Sequence, residues 1–162
     1  MKLLRTIRFD HSDTYVYDTA APEQEWAVSG AGAFAGLPGE TLTGKTRQAF
    51  ANGFLGIGSF GRSTFATVAS ITSEDLARIE AQLADHILSV YAAPSLAAAE
   101  EAARSDIAFV ADLVRDAQIN TVFTVRRTRE ESGEIRETFR TIRPPTGEPV
   151  HARIWTVEAD DA

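Results

Sequence analysis

The segment from Thr72 to Val114 constrains the fold more than any other part of the chain. Apolar residues recur there at helical spacing in two successive stretches: Leu76, Ile79, Leu83, Ile87 and Val90 in the first, and Leu96, Ala99, Ala103, Ile107, Val110 and Val114 in the second. Thr72 with Asp75 has the form of a capping box, and Ser95 is a suitable N-cap for the second helix. The link of residues 92–95 is so short that the two helices must be antiparallel neighbours.

Runs typical of β-strands flank this helical hairpin on both sides. The strands predicted from alternation and β-prone residues are Leu3–Phe9, Tyr15–Tyr17, Glu25–Ser29, Ser63–Ile71, Ile119–Glu130, Glu134–Arg143 and Val150–Val157. Asp10–Asp13, Gly36–Gly39 and Pro144–Gly147 read as turns or loops, and Glu158–Ala162 as a frayed tail. This order predicts an α+β fold, an antiparallel β-sheet with the helical hairpin packed on one face, in a single domain over residues 1–162.

Within Ser63–Ile71 we expect Phe65, Thr67, Ala69 and Ile71 to share one face. The two strands after the helices are expected to form a β-hairpin around Glu131–Gly133, with glycine in the left-handed position. That loop places Val125 opposite Phe139 and Arg127 opposite Glu137, and both pairs are favourable.

Composition excludes several classes of protein. The chain has no cysteine, so disulfides, thiolate metal sites and cysteine nucleophiles are excluded, and a reducing, cytoplasmic location is favoured. A net charge of −7 argues against nucleic acids and anionic membranes as partners. Because no apolar stretch approaches membrane-spanning length and Arg5 and Arg8 interrupt the first apolar run, we expect a soluble protein without a signal peptide.

Nine of the 11 glycines lie between Gly30 and Gly61, and this stretch produces motif matches. Gly39–Thr46 fits the P-loop pattern G-x-x-x-x-G-K-T, but no buried parallel strand leads into it. Gly56–Gly61 fits G-x-G-x-x-G, yet a β-rich run follows where a dinucleotide fold needs a helix. Turns and closely packed backbone explain these matches better, and a P-loop nucleotide binder remains a remote alternative.

The same stretch is locally basic in an acidic protein. Between Trp26 and Thr72 the only acidic residue is Glu40. Glycine-rich backbone can also form anion-binding nests. We therefore predict a ligand-binding site for a small anion formed by Lys45, Arg47, Asn52 and Arg62, with pairing of the arginines to helix acids as the structural alternative.

The predicted β-hairpin offers a second basic patch. Its register puts Arg126, Arg136 and Arg140 on one face, among three threonines. Such a face is suited to phosphate or an acidic partner, although a solvated face or one packed by acidic residues is the simpler interpretation.

No metal or cofactor site is predicted. His11, His86 and His151 come from separate elements and lack ligand spacing such as H-x-x-x-H. Asp10, His11 and Asp13 have metal-compatible donor atoms, but a capped turn explains them better.

The chain resembles a family of small bacterial proteins of unknown function. The resemblance is carried by the runs 4–10, 47–56 and 59–65, which read LRTIRFD, RQAFANGFLG and SFGRSTF. It implies a bacterial, stand-alone domain and brings no activity, cofactor or catalytic residue.

Two functions follow as hypotheses. The first is a non-catalytic binding or accessory module for a small anionic ligand or a protein partner. The alternative is an enzyme acting on a phosphorylated small molecule, with Lys45 or Arg62 neutralising developing charge. A homodimer through the helices or an edge strand is a further hypothesis. It rests on Phe109 and Leu113, two apolar residues that lie beside the main apolar stripe of the second helix.

Overall fold

The structure is a computed structural model that describes residues 1–35, 42–143 and 156–160. The strands are β1 (Lys2–Ile7), β2 (Trp26–Val28), β3 (Phe54–Gly56), β4 (Arg62–Ser63), β5 (Phe65–Ser70), β6 (Val122–Arg129), β7 (Ile135–Arg143) and β8 (Thr156–Asp160). The α-helices are α1 (Ser12–Val16), α2 (Gly44–Asn52), α3 (Ser73–Val90) and α4 (Leu96–Leu113), and a 3-10 turn covers Ala31–Phe34.

The strands form one eight-stranded sheet in the order β4-β3-β2-β1-β5-β6-β7-β8, and each neighbouring pair is antiparallel. The sheet is strongly curled, because the rings of Phe54 on β3 and Phe139 on β7 lie 6.4 Å apart although four strands separate them in the sheet order. The α+β prediction with an antiparallel sheet is therefore confirmed. Curling brings the two distant ends of the sheet together, and the candidate site lies there.

The helical hairpin forms as predicted and contributes to the main core. The Thr72 and Ser95 side chains accept hydrogen bonds from the backbone N–H groups of Asp75 and Ala98, so both predicted caps are present. Apolar residues from both helices and from the sheet form one buried cluster, which includes Leu3, Leu4, Val68, Phe123, Ile79, Leu83, Ala103, Ile107 and Val110. The stripe is shorter than predicted at the hairpin's connecting end, where Val90 and Leu96 are exposed.

The β6–β7 hairpin has the predicted register. Val125 pairs with Phe139 and Arg127 with Glu137, and Gly133 has a positive φ of 91° in the connecting loop. The same register puts the two arginines Arg126 and Arg136 on one face of the hairpin.

Three local predictions were wrong. Tyr15–Tyr17 is not a strand, because α1 runs through it and the Tyr17 hydroxyl bonds to Thr64. The predicted strand Ser63–Ile71 breaks at Thr64, whose N–H and hydroxyl both bond to the buried carboxylate of Asp13. Phe65, Thr67 and Ala69 share one face of β5 as expected, and the more deeply buried face carries Ala66 and Val68.

The third error concerns the C-terminal end. The residues read as a frayed tail belong in part to β8, which pairs with β7 through contacts such as Ala159 with Arg140. Strand β3, which the glycine-rich composition concealed, was not predicted. Some predicted elements lie outside the described residues, namely the turns at 36–39 and 144–147 and most of the strand at 150–157.

In the described part of the chain, no helix has both the length and the apolarity needed to cross a membrane.

The cap of α3 gives a test of this architecture. Thr72→Ala removes the acceptor for the Asp75 N–H, which lies 3.1 Å from the Thr72 hydroxyl. We expect the free energy of unfolding to fall by about 1 kcal/mol, measured by urea denaturation. Ser73→Ala at the exposed neighbouring position is the control, and an equal loss in both variants would contradict the capping role.

Candidate functional site

The centre of the site is the buried guanidinium of Arg127 on β6. Its side chain is 0% exposed. Nη1 donates to the carbonyls of Phe50 and Gly53 at 2.9 Å each, and Nη2 donates to the carbonyl of Ser29. Helices end with unpaired carbonyls and a partial negative charge, so the Arg127 cation stabilises the C-terminus of α2.

The carboxylate of Glu137 completes the bonding of this arginine. Arg127 Nε donates to Glu137 Oε2 at 3.0 Å, and the Ser29 hydroxyl donates to the same oxygen. Burial lowers the pKa of Arg127, and Glu137 counteracts this shift. The predicted Arg127–Glu137 pair is thus an ion pair. Because both side chains also bond to Ser29, the pair joins the β6–β7 hairpin to the residue that follows β2.

A second buried arginine shares one acceptor with the first. Arg62 is 8% exposed, and its Nη1 donates to the carbonyls of Gly30 and Gly53 at 3.1 and 3.2 Å. Its guanidinium also lies 4.9 Å from the centre of the Phe34 ring. Desolvation, and then the charge of Arg127, lower the pKa of Arg62 to about 10, which leaves it protonated at neutral pH.

Gly30 is required by this packing. Its φ of 84° is in the left-handed region, and a Cβ at this position would collide with the Arg62 guanidinium. The glycine therefore permits the close approach of a buried cation to the backbone. Arg62, predicted to bind a ligand, is instead bonded inside the protein.

A groove of about 810 Å³ opens between α2 and β6, beside Arg127. It is lined by Leu42, Gly44, Arg47, Gln48, Phe50, Ala51, Asn52, Arg126, Arg127, Thr128 and Arg129. None of these residues is acidic. Besides the internally bonded Arg127, the lining contains three more arginines, Arg47, Arg126 and Arg129. The Nη1 atom of Arg129 is buried and has no hydrogen-bond partner among the described residues. We call this feature the cationic groove.

The cationic groove unites part of each predicted basic site. Arg47 and Asn52 come from the predicted glycine-rich site and Arg126 from the predicted hairpin patch. Lys45 is exposed on α2 but does not line the groove, and Arg62 lies in the interior. Arg127 and Arg129 were not proposed as site residues, although their place at the end of a strand beside Arg126 was visible in the sequence.

The other two hairpin arginines lie outside the cationic groove. Arg136 forms an ion pair with Glu130 at 3.0 Å on the surface. Arg140 is exposed and pairs across the strands with Thr124. The three predicted arginines therefore share a face without forming a common pocket lining.

A smaller cavity of about 230 Å³ lies on the other side of the Arg127–Glu137 pair. Its lining includes Ser29, Asp106, Phe109 and Glu137. Although Asp106 keeps access to solvent, the surrounding protein and the carboxylate of Glu137 raise its pKa to about 6. One ion pair thus separates a cationic groove from an acidic cavity.

The glycine motifs have structural roles in the described residues. Gly56–Gly61 forms the tight connection from β3 to β4, where Glu25 accepts hydrogen bonds from the N–H and hydroxyl of Ser59. Gly44, Lys45 and Thr46 open α2, and Gly39–Thr41 of the P-loop match lie outside the described residues. Every strand pairing in the sheet is antiparallel, so the buried parallel strand that a P-loop fold requires is not among the described elements.

The histidines are not brought together with other ligand types. Asp10 accepts from the Ser12 N–H, as expected of a capped turn, and the imidazole of His86 stacks on Phe60 at 3.8 Å. Within the described ranges, no three His, Asp or Glu side chains are grouped so as to hold a metal ion. His151 lies outside those ranges.

The chain belongs to DUF6505, a family of unknown function whose model matches residues 1–155. Comparisons with curated proteins and with solved structures found no match. The predicted resemblance to a family of unknown function is therefore confirmed. Membership of this family assigns no activity to the chain.

Substitution of Arg127 tests its structural role. Arg127→Met removes the cationic partner of the Glu137 carboxylate and the donor to the carbonyls of Ser29 and Phe50, while Gly53 keeps only its bond from Arg62. We expect the free energy of unfolding to fall by about 3–5 kcal/mol, as when one partner of a buried ion pair is removed. The measurement is chemical denaturation, with Arg126→Met at the neighbouring exposed position as control; similar losses in both variants would contradict the role.

Asp106 predicts a pH dependence of stability. Its pKa rises from 3.8 to about 6 on folding, so the folded state binds its proton more tightly than the unfolded state. This contribution is fully present below pH 3.8 and is lost as the pH rises through about 6. Asp106→Asn should therefore be more stable than the wild type at pH 7, with the advantage shrinking toward pH 4 in thermal melts. Glu101→Gln, an exposed change on the same helix, is the control, and a pH-independent difference would contradict the prediction.

Proposed function

We propose that this protein is a binding protein whose cationic groove receives a ligand bearing negatively charged groups. The observation that carries the proposal is that Arg47, Arg126 and Arg129 line one groove in which none of the lining residues that the structure describes is acidic. The chain as a whole has a net charge of −7, so this local excess of cations stands out from the rest of the molecule. Guanidinium groups suit carboxylates and phosphates because their planar donors match those acceptors.

The buried arginines support the same proposal. Arg127 forms part of the groove lining, and its charge is held in place by its internal hydrogen bonds. Because Glu137 offsets much of this charge, Arg127 acts as a rigid part of the lining, and the positive potential comes chiefly from Arg47, Arg126 and Arg129. The groove volume, about 810 Å³, is within the range of small-molecule sites.

Binding is favoured over the alternative, an enzyme acting on a phosphorylated small molecule. A hydrolytic or transfer site needs a base, acid or nucleophile near the bound group. The lining side chains are arginine, glutamine, asparagine, threonine and apolar groups. No histidine, carboxylate or lysine is among the described lining residues, so the groove offers charge recognition without an evident proton carrier.

The setting of the protein is also part of the proposal. The cysteine-free composition supports a reducing cytoplasm, and the resemblance of residues 47–56 and 59–65 supports a bacterial source. A homodimer through α4 is also part of the proposal, because Phe109 on this helix is a large apolar residue that is 44% exposed.

A thermal-shift and calorimetric screen tests the proposed function. The probes are pyrophosphate, phosphate monoesters and di- and tricarboxylates. We expect at least one to stabilise the wild type, and Arg126→Ala to weaken its binding about tenfold, since a charge-assisted hydrogen bond contributes about 1.5–3 kcal/mol. Added salt should weaken binding as well.

Arg136→Ala is the matched control, because Arg136 lies on the same hairpin face but is paired with Glu130 outside the groove. Retained affinity in this variant, with loss in Arg126→Ala, supports the groove. Equal affinity in all three proteins, or no stabilisation by any anion, would refute the proposed function.

A further inference from the structure

The outward side of α4, with the turn that follows it, carries residues at the three- and four-residue spacing that keeps side chains on one face of a helix. Buried residues such as Ala103, Ile107 and Val110 occupy the opposite side, which packs on the core. Of the outward residues, six are exposed and Ala111 is half-buried. We call them the outer stripe, and they are Glu101, Arg104, Ser105, Ala108, Ala111, Asp112 and Arg115.

The charges of the outer stripe are inverted about Ala108. Glu101 lies seven positions before Ala108, and Arg115 lies seven positions after it. Arg104 lies four positions before it, and Asp112 lies four positions after it. A two-fold axis through Ala108 therefore sets every charge of the stripe opposite a charge of the other sign in an antiparallel second copy. Such complementarity fixes the direction and the register of two surfaces.

The charged side chains of the outer stripe are directed to solvent. Arg115 forms an ion pair with Asp112, and the two side chains are 68% and 62% exposed. This pair holds Arg115, which follows the last turn of α4, on the side of the stripe. Among the described residues, neither Glu101 nor Arg104 takes part in an ion pair. An exposed pair such as Asp112–Arg115 stabilises the fold little, so these charges are available to a partner.

The centre of the outer stripe is small and uncharged. Ser105, Ala108 and Ala111 lie between the charged ends. Two helix axes approach to about 8 Å only where the contact side chains are small. Ala108 and Ala111 also line a depression of about 450 Å³ together with Met1, which is 62% exposed. The stripe thus combines a centre suited to close packing with charged ends, as interfaces have a dry core and a polar rim.

The length of the outer stripe limits the strength of an association through it. From Glu101 to Arg115 the stripe covers about 21 Å of helix, at a rise of about 1.5 Å per residue. One pair of helices buries less area than the roughly 1,200–2,000 Å² of a stable interface. A dimer formed this way belongs to the weak, reversible class, and we expect a dissociation constant between about 1 μM and 1 mM.

We propose that two copies of this chain associate through the outer stripe as an antiparallel helix pair, with a two-fold axis at Ala108. Glu101 of each copy meets Arg115 of the other, and Arg104 meets Asp112. A two-fold interface uses the same patch twice, so a pattern inverted about its own centre is what this symmetry requires. The inference rests on the α4 homodimer that the proposed function includes. It goes further in naming the face, the direction and the register, and it does not involve the cationic groove.

Sedimentation velocity of the full-length chain over a concentration series tests the charge pairs. Glu101→Arg or Arg115→Glu alone sets like charges against each other at two symmetric contacts, so we expect each to weaken the dimer about tenfold or more. An equal mixture of the two variants restores opposite charges at both contacts and should dimerise about as well as the wild type. These two positions are preferred to Arg104, which also lies beside Glu80 and Glu100.

Glu131→Arg is the matched control, because it changes the net charge as Glu101→Arg does but lies in the exposed β6–β7 loop. It should leave the dimer unchanged. Circular dichroism of each variant checks that it is folded. Weakening by both reversals without recovery in the mixture would overturn the antiparallel pairing, and so would an equal effect of Glu131→Arg.

A cross-linking measurement reads the register directly. The chain has no cysteine of its own, so Ala108→Cys introduces a single thiol that faces its own copy across the proposed axis. We expect mild oxidation to link this variant into a covalent dimer several-fold faster than Ala102→Cys, which is exposed on another side of α4. Equal rates for the two variants would contradict the register.

The outcomes separate this inference from the proposed function. If the chain dimerises and Phe109→Ala weakens the dimer while neither charge reversal does, the inference fails and the proposed homodimer stands. If the chain stays monomeric at every concentration, both fail, and anion binding in the groove is still decided separately by Arg126→Ala. Loss in each reversal with recovery in the mixture supports both the inference and the homodimer.

Discussion

The burial of one guanidinium organises the half of this protein that contains the candidate site. Removing a cation from water costs several kcal/mol, and the cost is offset only when its donors find acceptors. Arg127 meets that condition with the end of α2, the carbonyl of Ser29 and the carboxylate of Glu137. The end of α2 and the residue after β2, both remote from β6 in sequence, are therefore fixed to one side chain.

Two of the arginines are bonded to backbone carbonyls inside the protein, and three others line the groove. Arg62 and Arg127 are bonded to backbone carbonyls and both donate to Gly53, so they shape the interior. Arg47, Arg126 and Arg129 are left to the groove, where their charge faces an open volume. The arginines, which seem equivalent in sequence, are thus divided into a buried structural pair and three that line the groove.

Periodic and local features were predictable from the sequence. The caps at Thr72 and Ser95 and the register of the β6–β7 hairpin depend on neighbours a few residues apart, and all were confirmed. The Tyr15–Tyr17 segment was misassigned because its β-prone residues are overridden by a distant contact, in which Asp13 accepts hydrogen bonds from Thr64. Tertiary contacts of this kind leave no periodic signal.

The candidate site was predicted only in part for the same reason. The sequence located the basic segments around Arg47 and Arg126, but charge alone does not tell whether a side chain points outward. Arg62 was expected to bind a ligand because it lies in a stretch almost free of acids. Its partners are backbone carbonyls, which every residue possesses, so composition contains no sign of its burial.

The distance in sequence between Arg127 and its acceptors has a consequence for biosynthesis. Ser29 lies 98 positions before Arg127, and Gly53 lies 74 positions before it. A ribosome delivers the N-terminal strands first. Those strands and the end of α2 must therefore wait, with backbone acceptors unfilled, until β6 has left the exit tunnel. Closure of the curled sheet around Arg127 is therefore a late, long-range step of folding.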